Sequence, residues 1–274
     1  MATIAQTVEI GIAQRRAAGF VASTITITRR SALRYVRTPQ LVVMATLQMS
    51  LFFLIYRYMF AGAMRSVGVA YVDFLVPGFI ATGVLFSGIG AAVGMAEDVE
   101  QGFVDRLRSL PIPRSSVLAA RALADTGILV LAASVTVAIA YAVGFRLHGS
   151  VLAGLAAFGL VILFGFAFEW LFITIGLFAG NGQAAQGMGM IVFPFAFISS
   201  AYIAVSTMPG WLQAFAKHQP LTDMVDTVRA LTLGSRATAV LGHPASHYLT
   251  GSLLWTAGIL AVAVPLAIWR YHRG

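Results

Sequence analysis

Charged residues fall along this 274-residue chain in clusters, separated by long stretches that have none. Phe74–Ala96, Thr126–Phe145, Leu147–Phe168 and Trp170–Ala216 contain no Asp, Glu, Lys or Arg. A helix crosses a bilayer with ~20 mostly apolar residues, and runs of about 18 or more read as spans. The pattern predicts six spans: Gln40–Phe60, Phe74–Met95, Val117–Phe145, Val151–Ala179, Gly187–Val205 and Leu249–Trp269. The third and fourth are longer than a bilayer requires, which implies tilt or protrusion. The predicted fold class is all-α, a polytopic membrane protein with six transmembrane helices.

Two segments outside the spans also carry helical patterns. Between Arg15 and Arg37, apolar Phe20, Val21, Ile25, Ile27, Leu33 and Val36 are mixed with arginines. That suits an interfacial amphipathic helix at the inner membrane surface, with Pro39 marking the turn into the first span. A basic leader that acts only as a topology signal fits as well. In Met208–Gly234, Leu221, Met224, Val225, Val228 and Leu231 recur at helical spacing, Arg229 lies near the end and Gly234 can close the helix. Trp211, Leu212 and Phe215 give a shorter apolar face before Pro220. The pattern predicts two short amphipathic helices dipping into the outer leaflet; an ordinary outer loop is the alternative.

Composition sharpens the picture. The chain is 59% hydrophobic and 10% charged, where a soluble domain carries about a quarter charged residues. It has no cysteine, so disulfides and thiolate metal sites are excluded. The net charge of +8 does not point to nucleic acid, because the arginines stand at the ends of apolar runs, as topology demands. With the N-terminus inside, the inner side receives Arg15, Arg16, Arg29, Arg30, Arg34, Arg37, Arg106, Arg108, Arg114, Arg121, Arg270 and Arg273. The outer side receives Arg57, Arg65, Arg146, Lys217, Arg229 and Arg236. Both termini are expected to be cytoplasmic. Residues 1–39 read as a cytoplasmic leader without a cleavable signal, 40–269 as the six-span domain and 270–274 as a cytoplasmic tail.

Against that background, Glu97–Val117 ("EDVEQGFVDRLRSLPIPRSSV") concentrates charges of both signs. Val99, Phe103, Leu107 and Leu110 form one helical stripe, acids load the first turns, Arg106 and Arg108 the last, and Pro111 and Pro113 end it. The expectation is one short cytoplasmic helix, Glu97–Leu110, whose stripe seats in a groove on another protein. A solvated or interfacial loop helix is the plainer alternative. The acids do not form two repeated carboxylate motifs of the kind that hold Mg²⁺ for phosphate chemistry.

Within the spans, Glu169 is the one acid in a long apolar run. Such a group faces an interior or a cavity: a substrate-path acid, a gating contact, or a carboxyl near the inner end that is protonated or reaches the interface. Arg121 and Asp125, at i and i+4, are expected to pair. Gly83, Ser87 and Ala91, with Gly90 and Gly94, offer small residues for close helix approach. Aromatics cluster in "LFFLIYRYMF" and "FGFAFEW", placing Phe52, Phe53, Tyr56 and Phe168 either along a path for a flat apolar compound or in lipid-facing belts.

"AEDVEQGFVDRLRSLPIPRSSVLAARAL" resembles the signature loop of ABC-2-type export permeases. "RTPQLVVM" resembles the approach to their first span, and "FAKHQPLTDMVDTVRALTLG" resembles their outer segment before the sixth, particularly in the daunorubicin-resistance group. The likeness runs from Arg29 to Trp269. The resemblance implies that Glu97–Leu110 is a coupling helix on a separate ATPase, with Phe103, Leu107 and Leu110 as anchors. Glu97, Asp98, Glu100, Arg106 and Arg108 then form its polar rim. Gly102 matches the family's glycine, and either Pro111 or Pro113 its proline.

It further implies two ATPase subunits carrying ATP and Mg²⁺, no cofactor on this chain, and a second permease, identical or sister. The small-residue face of the second span or the first and fifth spans would form the seam between permeases. The cargo would be a hydrophobic or amphiphilic drug, lipid or glycolipid, moved out across a bacterial cytoplasmic membrane. On this reading Leu107→Arg uncouples the complex without unfolding the chain. No Walker A loop is present, since the one lysine, Lys217, follows no Gly-rich turn. Two other classes remain: an intramembrane enzyme acting on lipid-linked substrates, and an ion-driven secondary transporter. The histidines are scattered through loops and the tail, which gives the enzyme reading no cluster to build on.

Overall fold

The structure, a computed structural model, describes residues 19–37, 39–59, 69–108 and 113–273. Regular structure among them is helical throughout: α1 (Phe20–Arg37), α2 (Pro39–Met59), α3 (Tyr71–Glu100), α4 (Phe103–Arg108), α5 (Arg114–Ala142), α6 (Val151–Ala179), α7 (Gly182–Gly189), α8 (Val192–Phe197), α9 (Gly210–Ala216), α10 (Pro220–Leu233), α11 (Ala237–Leu241) and α12 (Ala245–Arg273). Four helices, within α3, α5, α6 and α12, are long and apolar enough to cross a membrane. The 30 residues of α3 span about 45 Å at 1.5 Å per residue.

Local chemistry explains the ends. Ser150 caps α6 by accepting a hydrogen bond from the Ala153 amide, and Gly180 closes it in the left-handed conformation. Asn181 then caps α7 by accepting from the Ala184 amide, so the chain reverses within two residues.

α3 and α6 pack along each other at the centre. α5 and α12 flank α6, α1 lies on α5, and α10 closes one end by touching α3, α6 and α12. In lipid, apolar burial does not drive helices together, so close backbone approach and interhelical hydrogen bonds carry the association. A side chain at Gly176 of α6 would collide with the Ala92 carbonyl of α3, and one at Gly88 of α3 with the Phe172 ring. Thr174 Oγ1 donates to the Ala263 carbonyl at 3.2 Å, tying α6 to α12.

The polarity of the bundle is inverted relative to a water-soluble protein. Glu169, Thr174, Thr222, Thr227, Arg229 and Ser252 are buried, while Leu152, Leu254 and Val262 are exposed. α1 follows the same rule: Ser23 and Thr24 are buried, and Phe20, Val21 and Ile25 face outward. Its Thr28 Oγ1 donates to the Ala120 carbonyl at 3.3 Å.

Two expectations need correction. The fifth span, Gly187–Val205, is not one helix: α7 stops at Gly189, α8 covers Val192–Phe197, and the chain then turns through Ser199–Tyr202. Pro194 lacks the amide that would bond the Met190 carbonyl four residues back; that carbonyl accepts from Phe193 instead, at 3.0 Å. The charged helix 97–110 is also divided. Glu97, Asp98 and Glu100 belong to the last turns of α3, and Gly102, at φ +67°, turns the chain into α4. The acids therefore sit at a C-terminal helix end, the reverse of the dipole argument. Leu110 and Pro111 lie outside the described residues, as do residues 1–18 and the side chain of Arg108. Pro113 precedes α5 as its cap residue.

Candidate functional site: a docking corner and a charged path

The α3–α4 turn forms a corner at one end of the bundle. Its positive-φ position is one that glycine occupies without the Cβ penalty other residues meet, which gives Gly102 a conformational role. Glu97, Glu100, Asp105 and Arg106 are exposed there, and Phe103 is half-buried. The apolar side of α4 does not all face outward. Val104 is buried in a cluster with Met95, Leu118, Trp170, Ile173 and Tyr271, and half-buried Leu107 packs against that cluster. The stripe read from the sequence is thus split between two helices. Leu107 packs the corner onto its own bundle, so Leu107→Arg would disturb that packing as well as any docking face. Val104 was missed, because its neighbour Phe103 fitted the continuous-helix spacing better.

A path of charged groups leads from this corner into the bundle. Arg121 of α5 bonds Asp98 of α3 through Nη1 and Asp125 through Nε, the latter at 2.9 Å. The Arg121–Asp125 pair was legible as i, i+4; the cross-helix link to Asp98 was not. Arg121 lies across Gly94, where any side chain would meet its guanidinium. Arg121 and Asp125 are in turn the charged neighbours of Glu169 on α6. Glu169 is 2% exposed; its Oε1 accepts from Ser87 Oγ of α3 at 3.3 Å, and its Oε2 has no hydrogen-bond partner. Glu169 and Ser87 stand about 15–20 Å along their helices from the ends at the corner.

The small-residue set divides. Ala91 is buried, Gly94 receives Arg121, and Gly83 is half-buried. Ser87 and Gly90 are exposed, and a Cβ at Gly90 would meet nothing within 4 Å. The glycines that permit close helix approach are instead Gly78, Gly88, Gly165 and Gly176. The aromatic residues divide too. Phe53 is buried against Phe79, with ring centroids 5.3 Å apart, and Tyr56 stacks on Tyr202 at 4.8 Å. Phe168 packs between Phe164 and Phe172, whereas Phe52 faces outward. Phe53 and Phe168 belong to the buried core.

At the opposite end lies a network that the sequence reading missed. Arg229 of α10, read from the sequence only as lying near a helix end, is fully buried. Its Nη1 donates to Asp226 Oδ1 at 2.7 Å; Nη2 donates to the carbonyls of Phe74 and Ser200 at 3.0 and 2.9 Å. The guanidinium carbon lies 3.6 Å from the Phe74 ring centre, and Ser200 Oγ donates to Asp226 Oδ1 at 2.8 Å. Burial pushes the Asp226 carboxyl above the usual carboxylate range, and Arg229 opposes that push. One side chain thereby fastens α3, the turn after α8 and α10 together. The i, i+3 spacing of Asp226 and Arg229 was the available signal.

A family model described as ABC-2 type transporter matches residues 22–233. The daunorubicin resistance ABC transporter permease protein DrrB1 of Streptomyces coeruleorubidus is 29% identical over 255 residues, covering 92% of this chain and 87% of its own length. A probable doxorubicin resistance ABC transporter permease protein, DrrC of Mycobacterium tuberculosis, is 26% identical over 267 residues, covering 95% of this chain and 92% of its own. These relatives are ABC transporter permease proteins by name, and the family together with the apolar helices makes this chain an integral membrane protein. The chain belongs to the ABC-2 type transporter family.

Proposed function

We propose that this chain is the permease subunit of an ABC exporter that moves a hydrophobic or amphiphilic compound out of a bacterial cytoplasm or inner leaflet. ATP hydrolysis takes place on a separate pair of ATPase subunits, which carry the Mg²⁺. Six segments cross the membrane, α2 supplying the first and the broken α7–α8 the fifth, with both termini cytoplasmic. A second permease, identical or sister, completes the pathway.

The observation that carries this reading is the corner at Gly102. It presents Glu97, Glu100, Asp105 and Arg106 outward while Asp98 and Val104 bind it to α5 and the bundle. A partner seated there can pull on α3 and α5 together. Coupling requires contacts that differ between two states of the complex, and the salt bridges of Arg121 are suited to that exchange.

The test is affinity purification of tagged protein from native membranes, with mass spectrometry of what accompanies it. A nucleotide-binding subunit at stoichiometric yield, lost in Arg106→Glu while the variant melts like wild type, is the expected result. Recovery of the same subunit at undiminished yield with Glu97→Arg, Asp105→Arg and Arg106→Glu combined would remove the corner as the docking site. No ATPase in any mild detergent would remove the exporter reading itself.

A further inference from the structure

The last turns of α12 carry a ladder of two rings between two guanidinium groups. Arg270 lies over Phe178 of α6, its guanidinium carbon 5.4 Å from the ring centre. Phe178 stacks on Trp269 with centroids 6.5 Å apart, and Arg273 lies 4.4 Å over the Trp269 ring. Both rings are exposed. Cations at a helix C-terminus complement its dipole and mark topology. That accounts for the charges, but not for the open rings beneath them. Tyr271, between the arginines, is buried with Val104 and Leu118, so the turn that carries the ladder is anchored in the core. Among the described residues no carboxylate pairs with Arg270 or Arg273. Val262, Leu266, Trp269 and Arg273 fall at i, i+4, i+7 and i+11, one stripe of the helix. Its three apolar members are exposed, and it runs about 16 Å from Val262 to the charges.

We infer that Arg270 and Arg273 hold the phosphate of an anionic phospholipid whose acyl chain lies along Leu266 and Val262. Guanidinium groups suit phosphate oxygens through their forked N–H donors. The rings hold the two groups near each other in advance, so binding costs less side-chain freedom. A soluble phosphate would meet the same donors but leave the apolar stripe uncovered, so a lipid is the source that fits both observations. The site requires only that this end of α12 lie at a membrane surface, and the exporter reading plays no part in it.

The experiment uses the full chain in phosphatidylcholine nanodiscs doped with a photo-crosslinking lipid. The probe is phosphatidylglycerol or phosphatidylcholine, each with the same diazirine-bearing acyl chain, and labelled peptides are mapped by mass spectrometry. Two arginines beside one headgroup predict about tenfold heavier labelling of the α12 stripe by the phosphatidylglycerol probe, with a smaller ratio over the rest of the chain. Arg270→Gln combined with Arg273→Gln is expected to bring the two probes level there. Phe178→Leu combined with Trp269→Leu keeps both charges and removes the rings, and should lose at least half of the preference. Thermal melting identifies any variant that merely misfolds, and the single substitutions, each expected to weaken the preference, then take its place. Equal labelling of wild type by the two probes overturns the proposal. A preference undiminished without the rings also overturns it, because diffuse attraction between charges would then suffice. Excess inorganic phosphate is expected to leave the labelling unchanged, and loss of the preference would make this a site for soluble phosphate instead.

Discussion

Arg229 provides the sharpest test of how this bundle is held together. Arg229→Ala leaves the buried Asp226 carboxyl with its bond from Ser200 Oγ but without its cation, and withdraws two bonds from the Phe74 carbonyl and one from Ser200. It also removes the cation from the Phe74 ring. Breaking a buried ion pair by deleting one partner costs about 3–5 kcal/mol, whereas an exposed arginine at a helix end would cost well under ~1 kcal/mol. At roughly 2–4 °C per kcal/mol for chains of this order of size, melting should fall by about 10 °C. The assay is thermal unfolding in nanodiscs, followed by intrinsic tryptophan fluorescence. Asp226→Leu combined with Arg229→Met removes both charges and is expected to recover at least half of the loss. A single variant melting within ~2 °C of wild type would refute the staple. A double variant no better than the single would refute its electrostatic origin.

Four further variants test particular positions. Gly78→Val drives a side chain into the Ala201 backbone and should prevent accumulation of folded protein, while Gly127→Ala, with nothing within 4 Å, should stabilise by ~0.5–1 kcal/mol; expression yield and melting in nanodiscs read both. Gly102→Ala places a Cβ at φ +67° and costs about 1 kcal/mol, confined to the corner, so hydrogen exchange should quicken in α4 and not in α6. Arg121→Met leaves Asp98 and Asp125 without that bridge and should separate hydrolysis from transport: reconstituted with its ATPase, the complex should hydrolyse ATP yet move little cargo, and unchanged transport per ATP would refute the path.

Much of the fold was written in the hydrophobic pattern, because a bilayer imposes a length that few other structures share. The helices around Phe74–Ala96, Thr126–Phe145 and Val151–Ala179 formed close to where charge-free runs predict. The Met208–Gly234 segment also formed two helices, with Gly234 closing the second at φ +59°. The site was less legible. Spacing places Val99 and Phe103 on one stripe only if the helix is continuous, and the left-handed Gly102 ends that continuity. Pattern alone does not tell a glycine inside a helix from one that breaks it. Glu169 was visible as an anomaly in an apolar run, yet its link to Ser87 depends on two helices eighty-two positions apart coming together.

By itself, then, the sequence determined that the chain is a helical membrane protein and where its charges concentrate. Both follow from transfer between water and lipid, a property of each segment taken alone. The tertiary structure decided which of the small residues are contacts, that Arg229 is buried, and that Asp98, Arg121, Asp125 and Glu169 lie on one path. Those are relations between helices. In lipid they are set by close packing and by finding partners for buried polar groups, and neither is encoded in any one helix's periodicity.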